Sequence, residues 1–434
     1  MLINNKIFTD YLKNLRSSKF SKVLLWDILS KGSDFALLPI YLKILSPAEY
    51  GFYTYALYII VTIAGIIKLG LDSSVSKMYY ETEKYDRGKM IFSLNIIWFI
   101  LFFLLFSFLL ITGLDVKIFT EIMNIPVIDY NEIKIFIFVF IFFSLIQTTL
   151  NTFFVIDDNI IKYQKYNLFR TLVVNIIIIL LLVFFAKGNK AYFRLHFEPI
   201  LYILTFIPLI VIFLKKMTFE VDWKAIKHGL IVGLPMLGTL VVGVIFNLSD
   251  KYFLQDSKGY EILAVYNLAF FLTLPVSLIF ASFNTVWTPL FFQEKSLQIN
   301  FIKSNKYFKT LTLFFLALLV IAELMIIIAL KIDVLDNAYH LLVYIFPVIF
   351  ISKIAENLTQ IYNNFIIKWG KTIFNLVVSI FFGSLILFLN YKLIPIWGIY
   401  AAVLLLIFIS FTRLLTFYLF VRINVKSFLT PLKK

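Results

Sequence analysis

Long uninterrupted apolar runs alternate with short polar ones along the chain, as in Ile96 to Ile111 and Val173 to Phe185. A helix rises about 1.5 Å per residue, so crossing about 30 Å of hydrocarbon takes about 20 mostly apolar residues. Twelve segments meet that length, at residues 22–43, 48–70, 90–112, 132–155, 168–187, 193–214, 226–254, 261–283, 307–330, 338–366, 372–390 and 395–421. A strand of a membrane barrel would alternate apolar and polar positions over about ten residues; these runs are continuous, so helices are predicted. The expected fold class is an all-α integral membrane protein of about 12 transmembrane helices. No loop is long enough to hold an inserted soluble domain.

Composition strengthens this reading. The 434 residues are 61% hydrophobic, 18% aromatic and 15% charged, where a soluble chain carries about 45–50% apolar and about 25% charged residues. With no cysteine, disulfides, thiolate metal sites and thiol catalysis are excluded. The three histidines, His196, His228 and His340, stand too far apart in sequence to suggest a metal cluster, and neither cofactor nor metal is expected.

The net charge of +15 raises nucleic acid as a partner, but Lys and Arg form no patch or stripe; they fall between the apolar segments. Roughly 26 of the 40 basic residues lie on one side of the membrane and roughly eight on the other. The richer side holds the N-terminal tail (Lys6, Lys13, Arg16, Lys19), loops such as Lys77/Lys84/Arg87/Lys89 and Lys215/Lys216/Lys224/Lys227, and the C-terminal Lys433 and Lys434. Because short cytoplasmic loops retain Lys and Arg, both termini are expected in the cytoplasm. One loop dissents, with Lys187, Lys190 and Arg194, and weakens the case for the fifth and sixth spans. The first twenty residues lack the apolar core of a secretory signal, so no cleavage is expected.

A short internal match supports two halves. Gly51-Phe52-Tyr53-Thr54-Tyr55-Ala56 aligns with Ala264-Val265-Tyr266-Asn267-Leu268-Ala269, an offset of 213 residues. An even number of spans per half makes a parallel repeat, with lobes at 1–216 and 217–434 of six helices each around a central cavity.

Ionisable residues inside spans cost about 2.5–3.5 kcal/mol each at the helix centre and face a cavity or a partner. In the first span Asp27, Lys31 and Asp34 follow i, i+4, i+7 spacing, with Ser30 beside them. The aligned positions in the second half, Leu240, Val244 and Asn247, are uncharged. The tenth span carries Lys353, Glu356, Asn357 and Gln360 on one face; a helix running past Phe365 would place Lys353 near the midplane. Lys68 and Arg413 read as lying near cytoplasmic ends, and Lys134 and Lys251 near outer ends, where long basic side chains reach the interface. Arg413 is also a candidate at the cavity mouth. Glu323 stands alone in the outer half of the ninth span and is a candidate for ion coupling.

Leu45-Ser46-Pro47-Ala48-Glu49-Tyr50-Gly51-Phe52-Tyr53 and Lys68-Leu69-Gly70-Leu71-Asp72-Ser73-Ser74 resemble the start of bacterial polysaccharide-unit flippases. The second half carries further landmarks in order: His228-Gly229-Leu230-Ile231-Val232-Gly233-Leu234-Pro235, Leu248-Ser249-Asp250-Lys251-Tyr252-Phe253-Leu254, Val265-Tyr266-Asn267-Leu268-Ala269 and Trp287-Thr288-Pro289-Leu290. The chain thus resembles the Wzx-type polysaccharide biosynthesis family of the multidrug/oligosaccharidyl-lipid/polysaccharide (MOP) exporter superfamily, from about residue 20 to the end. The resemblance implies a twelve-helix flippase of the bacterial inner membrane. It would move undecaprenyl-pyrophosphate-linked repeat units of O-antigen, capsule or exopolysaccharide outward by alternating access. A polysaccharide polymerase and a chain-length regulator are then candidate partners.

On that reading Lys31, Lys353 and Arg413 offer cationic donors to pyrophosphate and sugar hydroxyls. Asp27, Asp34, Glu356, Asn357, Gln360 and Glu323 would tune the cavity or bind a coupling proton or sodium ion. Internal pairing, Lys31 with Asp27 or Asp34 and Lys353 with Glu356, is the alternative role, and the two are compatible. Phe365 stands where the first glycine of a phosphate loop ending at Gly370-Lys371-Thr372 should be, so an ATPase is not expected. A glycan polymerase or glycosyltransferase would need a larger outer loop than 113–131, so an enzyme is not expected. The runner-up is a drug or organic-cation antiporter of the same superfamily, which Lys31 and Lys353 disfavour.

Overall fold

The computed structural model describes residues 19–83, 86–157 and 159–427. Among them there is no strand, and ten helices are long and apolar enough to cross a membrane. The thirteen longer helices are α1 (Lys19–Ile44), α2 (Pro47–Ile67), α3 (Leu71–Glu81), α4 (Arg87–Thr112), α5 (Val127–Ile156), α6 (Ile160–Phe184), α7 (Lys190–Leu214), α8 (Trp223–Leu272), α9 (Leu274–Gln293), α10 (Leu297–Lys331), α11 (Leu342–Lys368), α12 (Thr372–Trp397) and α13 (Ile399–Ser427). Each expected span coincides with helix. The seventh and eighth share the 50-residue α8, broken at Gly259, whose φ of 79° a side chain would resist. The eighth continues into α9 past Thr273, where Pro275, without an N–H, is accommodated in the first turn of the new helix.

Helix starts follow local chemistry. The Asn189 side chain accepts from the N–H groups of Ala191 and Tyr192 at the head of α7, Asp222 from Lys224 and Ala225 before α8, and Ser296 from Ile299 before α10. Such caps satisfy N–H groups that have no partner within the helix.

The chain forms two compact units. Unit 1 comprises residues 1–45 and 55–241. Its helices α1, α6 and α7 pack in sequence, and α7 lies against α5. The first half of α8 belongs here because it is tied to α3: Ser74 Oγ donates to the Gly229 carbonyl at 2.6 Å. Unit 2 comprises residues 46–54 and 242–434. Its centre is α11 against α13, α10 and α9, with a core of Trp287, Phe291, Tyr362, Phe365, Phe382 and Phe417.

Residues 46–54 join unit 2 by a backbone crossing. A Cβ on Gly51 would stand 1.9 Å from the Tyr260 carbonyl oxygen and 3.2 Å from the Ala264 nitrogen, so no larger residue fits. One turn on, Asn267 Nδ2 donates to Thr54 Oγ1 at 2.9 Å. Thr54 and Asn267 are aligned partners at the 213-residue offset, as are Gly51 and Ala264, so the matched segments touch through equivalent positions.

A cationic cavity in unit 2

The tenth span is a full-length helix: α11 runs to Lys368, which leaves Lys353 in its middle third. α13 is longer than its apolar stretch suggested and ends at Ser427, so Arg413 is its central residue and not a residue near its end. Helices α11 and α13 are the most closely packed pair in the unit, and between them opens a cavity of about 150 Å³. Lys353, Glu356, Ser410, Arg413, Phe270 and Asp250 line it.

Lys353 Nζ lies 2.6 Å from Glu356 Oε2, so pairing and cavity lining coexist. The ammonium also sits 5.4 Å from the Phe270 ring centre. On the other contact of that ring, Lys251 Nζ lies 4.6 Å away. One aromatic ring therefore serves two ammonium groups, a favourable use of its quadrupole away from water. Glu356 also acts electrostatically on Arg413, whose guanidinium is 5.8 Å from the Phe417 ring.

Asp250 and Lys251 were not expected here. Lys251, read as an interfacial residue, is instead 1% exposed, because its charge is met inside the protein: Nζ lies 3.4 Å from Asp250 Oδ1 and over the Phe270 ring. Asp250 also accepts from the Lys251 N–H at 2.8 Å and from the Tyr266 hydroxyl. The signal in the sequence was the adjacent acid and base of Ser249-Asp250-Lys251 inside an apolar run. On the cavity wall two cations (Lys353, Arg413) face two carboxylates (Asp250, Glu356), and Lys251, which does not line it, pairs with Asp250.

The other expected residues divide. Asn357 Nδ2 donates to the Lys353 carbonyl at 2.8 Å and to Ser277 Oγ at 3.3 Å, so it joins α11 to α9. Gln360 is exposed and accepts from Asn363. Glu323, on α10, does not line the cavity, and its Oε2 has no hydrogen-bond partner among the described residues. Asp27, Lys31 and Asp34 lie on α1, but their side chains fall outside the described residues.

Unit 1 buries several basic side chains. Arg194 is buried in α7 and pairs with Glu198 one turn later at 2.8 Å, with its guanidinium 3.8 Å from the Tyr41 ring. Tyr41 in turn donates to Asn175 Oδ1 at 2.7 Å. The apparent dissent of the 187–194 loop is thereby reduced, since Arg194 is neutralised within a helix. Arg170 is 3% exposed, packed on Tyr202 and Phe206 and bonded to Asn167 Oδ1 at 2.6 Å. Lys68 is likewise buried and does not reach an interface: it meets Asp72 at 3.1 Å, Thr149, and the Trp98 ring at 4.9 Å. Among the described residues no group of three or more His, Asp and Glu could hold a metal.

The family model of polysaccharide biosynthesis proteins matches residues 19–295, which include the family landmarks quoted above. The chain belongs to this family. Its fold is that of the MOP superfamily of membrane transporters. A multidrug-resistance MATE transporter of the MOP superfamily in an inward-facing conformation superposes with a TM-score of 0.60 at 14% identity, over 94% of this chain and 95% of that one. An outward-facing conformation of such a transporter gives 0.57 at 14%, over 96% of each chain. A MOP transporter from Pyrococcus furiosus, described as having a binding pocket of reverse polarity, gives 0.56 at 13%, over 95% and 96%. No curated protein matches the chain at a significant level.

Proposed function

We propose that this family member is a flippase that carries undecaprenyl-pyrophosphate-linked oligosaccharide repeat units from the inner to the outer leaflet of the bacterial cytoplasmic membrane by alternating access. The observation that carries the reading is a mid-helix cavity with the cations Lys353 and Arg413 on its wall. A pyrophosphate brings several negative charges and acceptor oxygens, and Lys and Arg are the side chains that match them. An organic cation would need an unclaimed carboxylate. Here Asp250 is engaged by Lys251 and Tyr266, and Glu356 by Lys353. Lys31 on α1 is proposed as a further phosphate contact, and Asp27, Asp34 and Glu323 as candidates for binding a coupling proton or sodium ion. Polymerase and chain-length regulator remain the proposed partners.

Depletion of the protein in its native host, with mass spectrometry of lipid-linked intermediates and an impermeant glycan probe for sidedness, tests this. A complete single repeat unit should accumulate on undecaprenyl pyrophosphate at the cytoplasmic face. A normal outer-leaflet pool would remove the assignment and move drug-cation export to the front. Lys353→Ala and Arg413→Ala should each abolish glycan export at unchanged membrane abundance; equal loss of abundance would assign these residues a structural role.

A further inference from the structure

A second cavity in unit 2, about 440 Å³, lies between α10, α11 and α13. We propose that it is a binding site for an anionic glycerophospholipid, distinct from the transported substrate. Its α13 wall presents Phe411, Leu415 and Tyr418 at helical spacing, and Arg422 continues the same face, with its guanidinium 5.9 Å from the Tyr418 ring. Over about 16 Å of helix the wall thus changes from apolar to aromatic-polar to cationic, the sequence of environments a phospholipid presents from acyl chain to headgroup. Phe411 and Leu415 are 47% and 54% exposed, so the apolar end is open.

The polar end has donors waiting for an acceptor. Lys309 lines the cavity and has no ion-pair or hydrogen-bond partner among the described residues, and the same holds for the Tyr418 hydroxyl. Asn305 Oδ1 accepts from Tyr362 at 2.9 Å, which fixes the amide and leaves its Nδ2 donor unused. No carboxylate lines the cavity. An anionic oxygen cluster fits such a set, and the apolar wall selects a lipid over a soluble phosphate. Basic pockets between membrane helices hold anionic lipid headgroups for this reason. Arg413, which lines the transport cavity, is two residues, or about 160° around α13, from both Phe411 and Leu415, and Ser410 is about 100° from Phe411 and about 140° from Leu415. The lipid held here is therefore not the one in the transport cavity, and the proposal stands whichever substrate is moved.

Native mass spectrometry of the purified full-length protein, with phosphatidylglycerol, phosphatidylcholine or inorganic phosphate added, provides the test. The protein should retain phosphatidylglycerol about 30-fold better than phosphatidylcholine, the discrimination two interfacial basic residues supply. Lys309→Gln and Arg422→Gln should each lower that preference about fivefold, and Lys309→Arg should keep it. Equal retention of the two lipids, an unchanged preference in both Gln variants, or displacement by inorganic phosphate would overturn the proposal. Both Gln positions are on the protein surface and on different helices, so misfolding of one leaves the other to decide.

Discussion

A buried charge inside an apolar bundle is tolerable only while its partner remains. Arg194 and Glu198 are 9% and 5% exposed at their side chains, and removing one leaves the other without compensation in a low-dielectric interior. Arg194→Gln is therefore expected to destabilise unit 1 by about 3–5 kcal/mol, read as a drop in the thermal midpoint in detergent. The paired change Arg194→Met with Glu198→Leu should recover most of the loss, because an apolar pair of similar volume carries no desolvation cost. Glu294 offers a residue-level prediction of another kind. The Ser296 N–H, with help from Lys303, holds its carboxyl below the ordinary glutamate range. Its folded value lies below its unfolded one, so the stabilisation is complete above about pH 4.3 and is lost as the pH falls through the folded value. Amide protection factors over residues 294–299, normalised to the intrinsic exchange rate at each pH, should hold steady at neutral pH and fall under acid; a fall beginning near pH 7 would contradict the assignment. These charges also mark where the sequence was hard to read. Arg194 was read as a loop residue and Lys68 as lying near a span end, because partners such as Tyr41 and Thr149 are distant in the chain. The one local clue was the i, i+4 spacing of Arg194 and Glu198.

At the scale of elements the pattern was far more legible. Apolar run length predicted where helices lie, because a helix that satisfies its own backbone is the economical way to cross hydrocarbon. What run length could not supply was where a helix stops in polar sequence, and this is why α13 extends to Ser427 and Arg413 moves to its centre. Nor could it foresee the crossing of α2 with the start of the eighth span. Gly51→Ala puts a methyl group against a backbone carbonyl that no rotamer change can move aside. A loss near the upper end of the overpacking range, about 3 kcal/mol, is expected in unfolding experiments, with Thr54→Val costing less, since it removes only the hydroxyl bonded to Asn267. A normal melting profile for Gly51→Ala would show that the two segments separate readily.

For the whole molecule the natural absence of cysteine makes single introduced thiols unambiguous reporters of sidedness. The excess of Lys and Arg on one side predicts that Lys187→Cys, between α6 and α7, reacts with an impermeant maleimide in intact cells. Lys215→Cys, after α7, should react only once the membrane is permeabilised. The reverse labelling would invert the topology, and with it the direction of the proposed transport. The fold and the order of its landmarks were readable because they depend on periodicity and spacing. The cavity was readable only in part: Lys353, Glu356 and Arg413 stood out as charges in apolar runs, but nothing in the linear order placed Asp250 beside them.

The contact between Gly51 and Tyr260 has a consequence for synthesis. The beginning of α2 belongs to unit 2, yet the residues it packs against come from the ribosome about 200 positions later. At about 5–20 residues per second, that stretch of helix waits in the membrane for roughly 10–40 s before its permanent neighbour exists. During this interval its small-residue face at Gly51 is open to any passing helix, so an insertase or chaperone that shields it would raise the yield of correctly assembled protein.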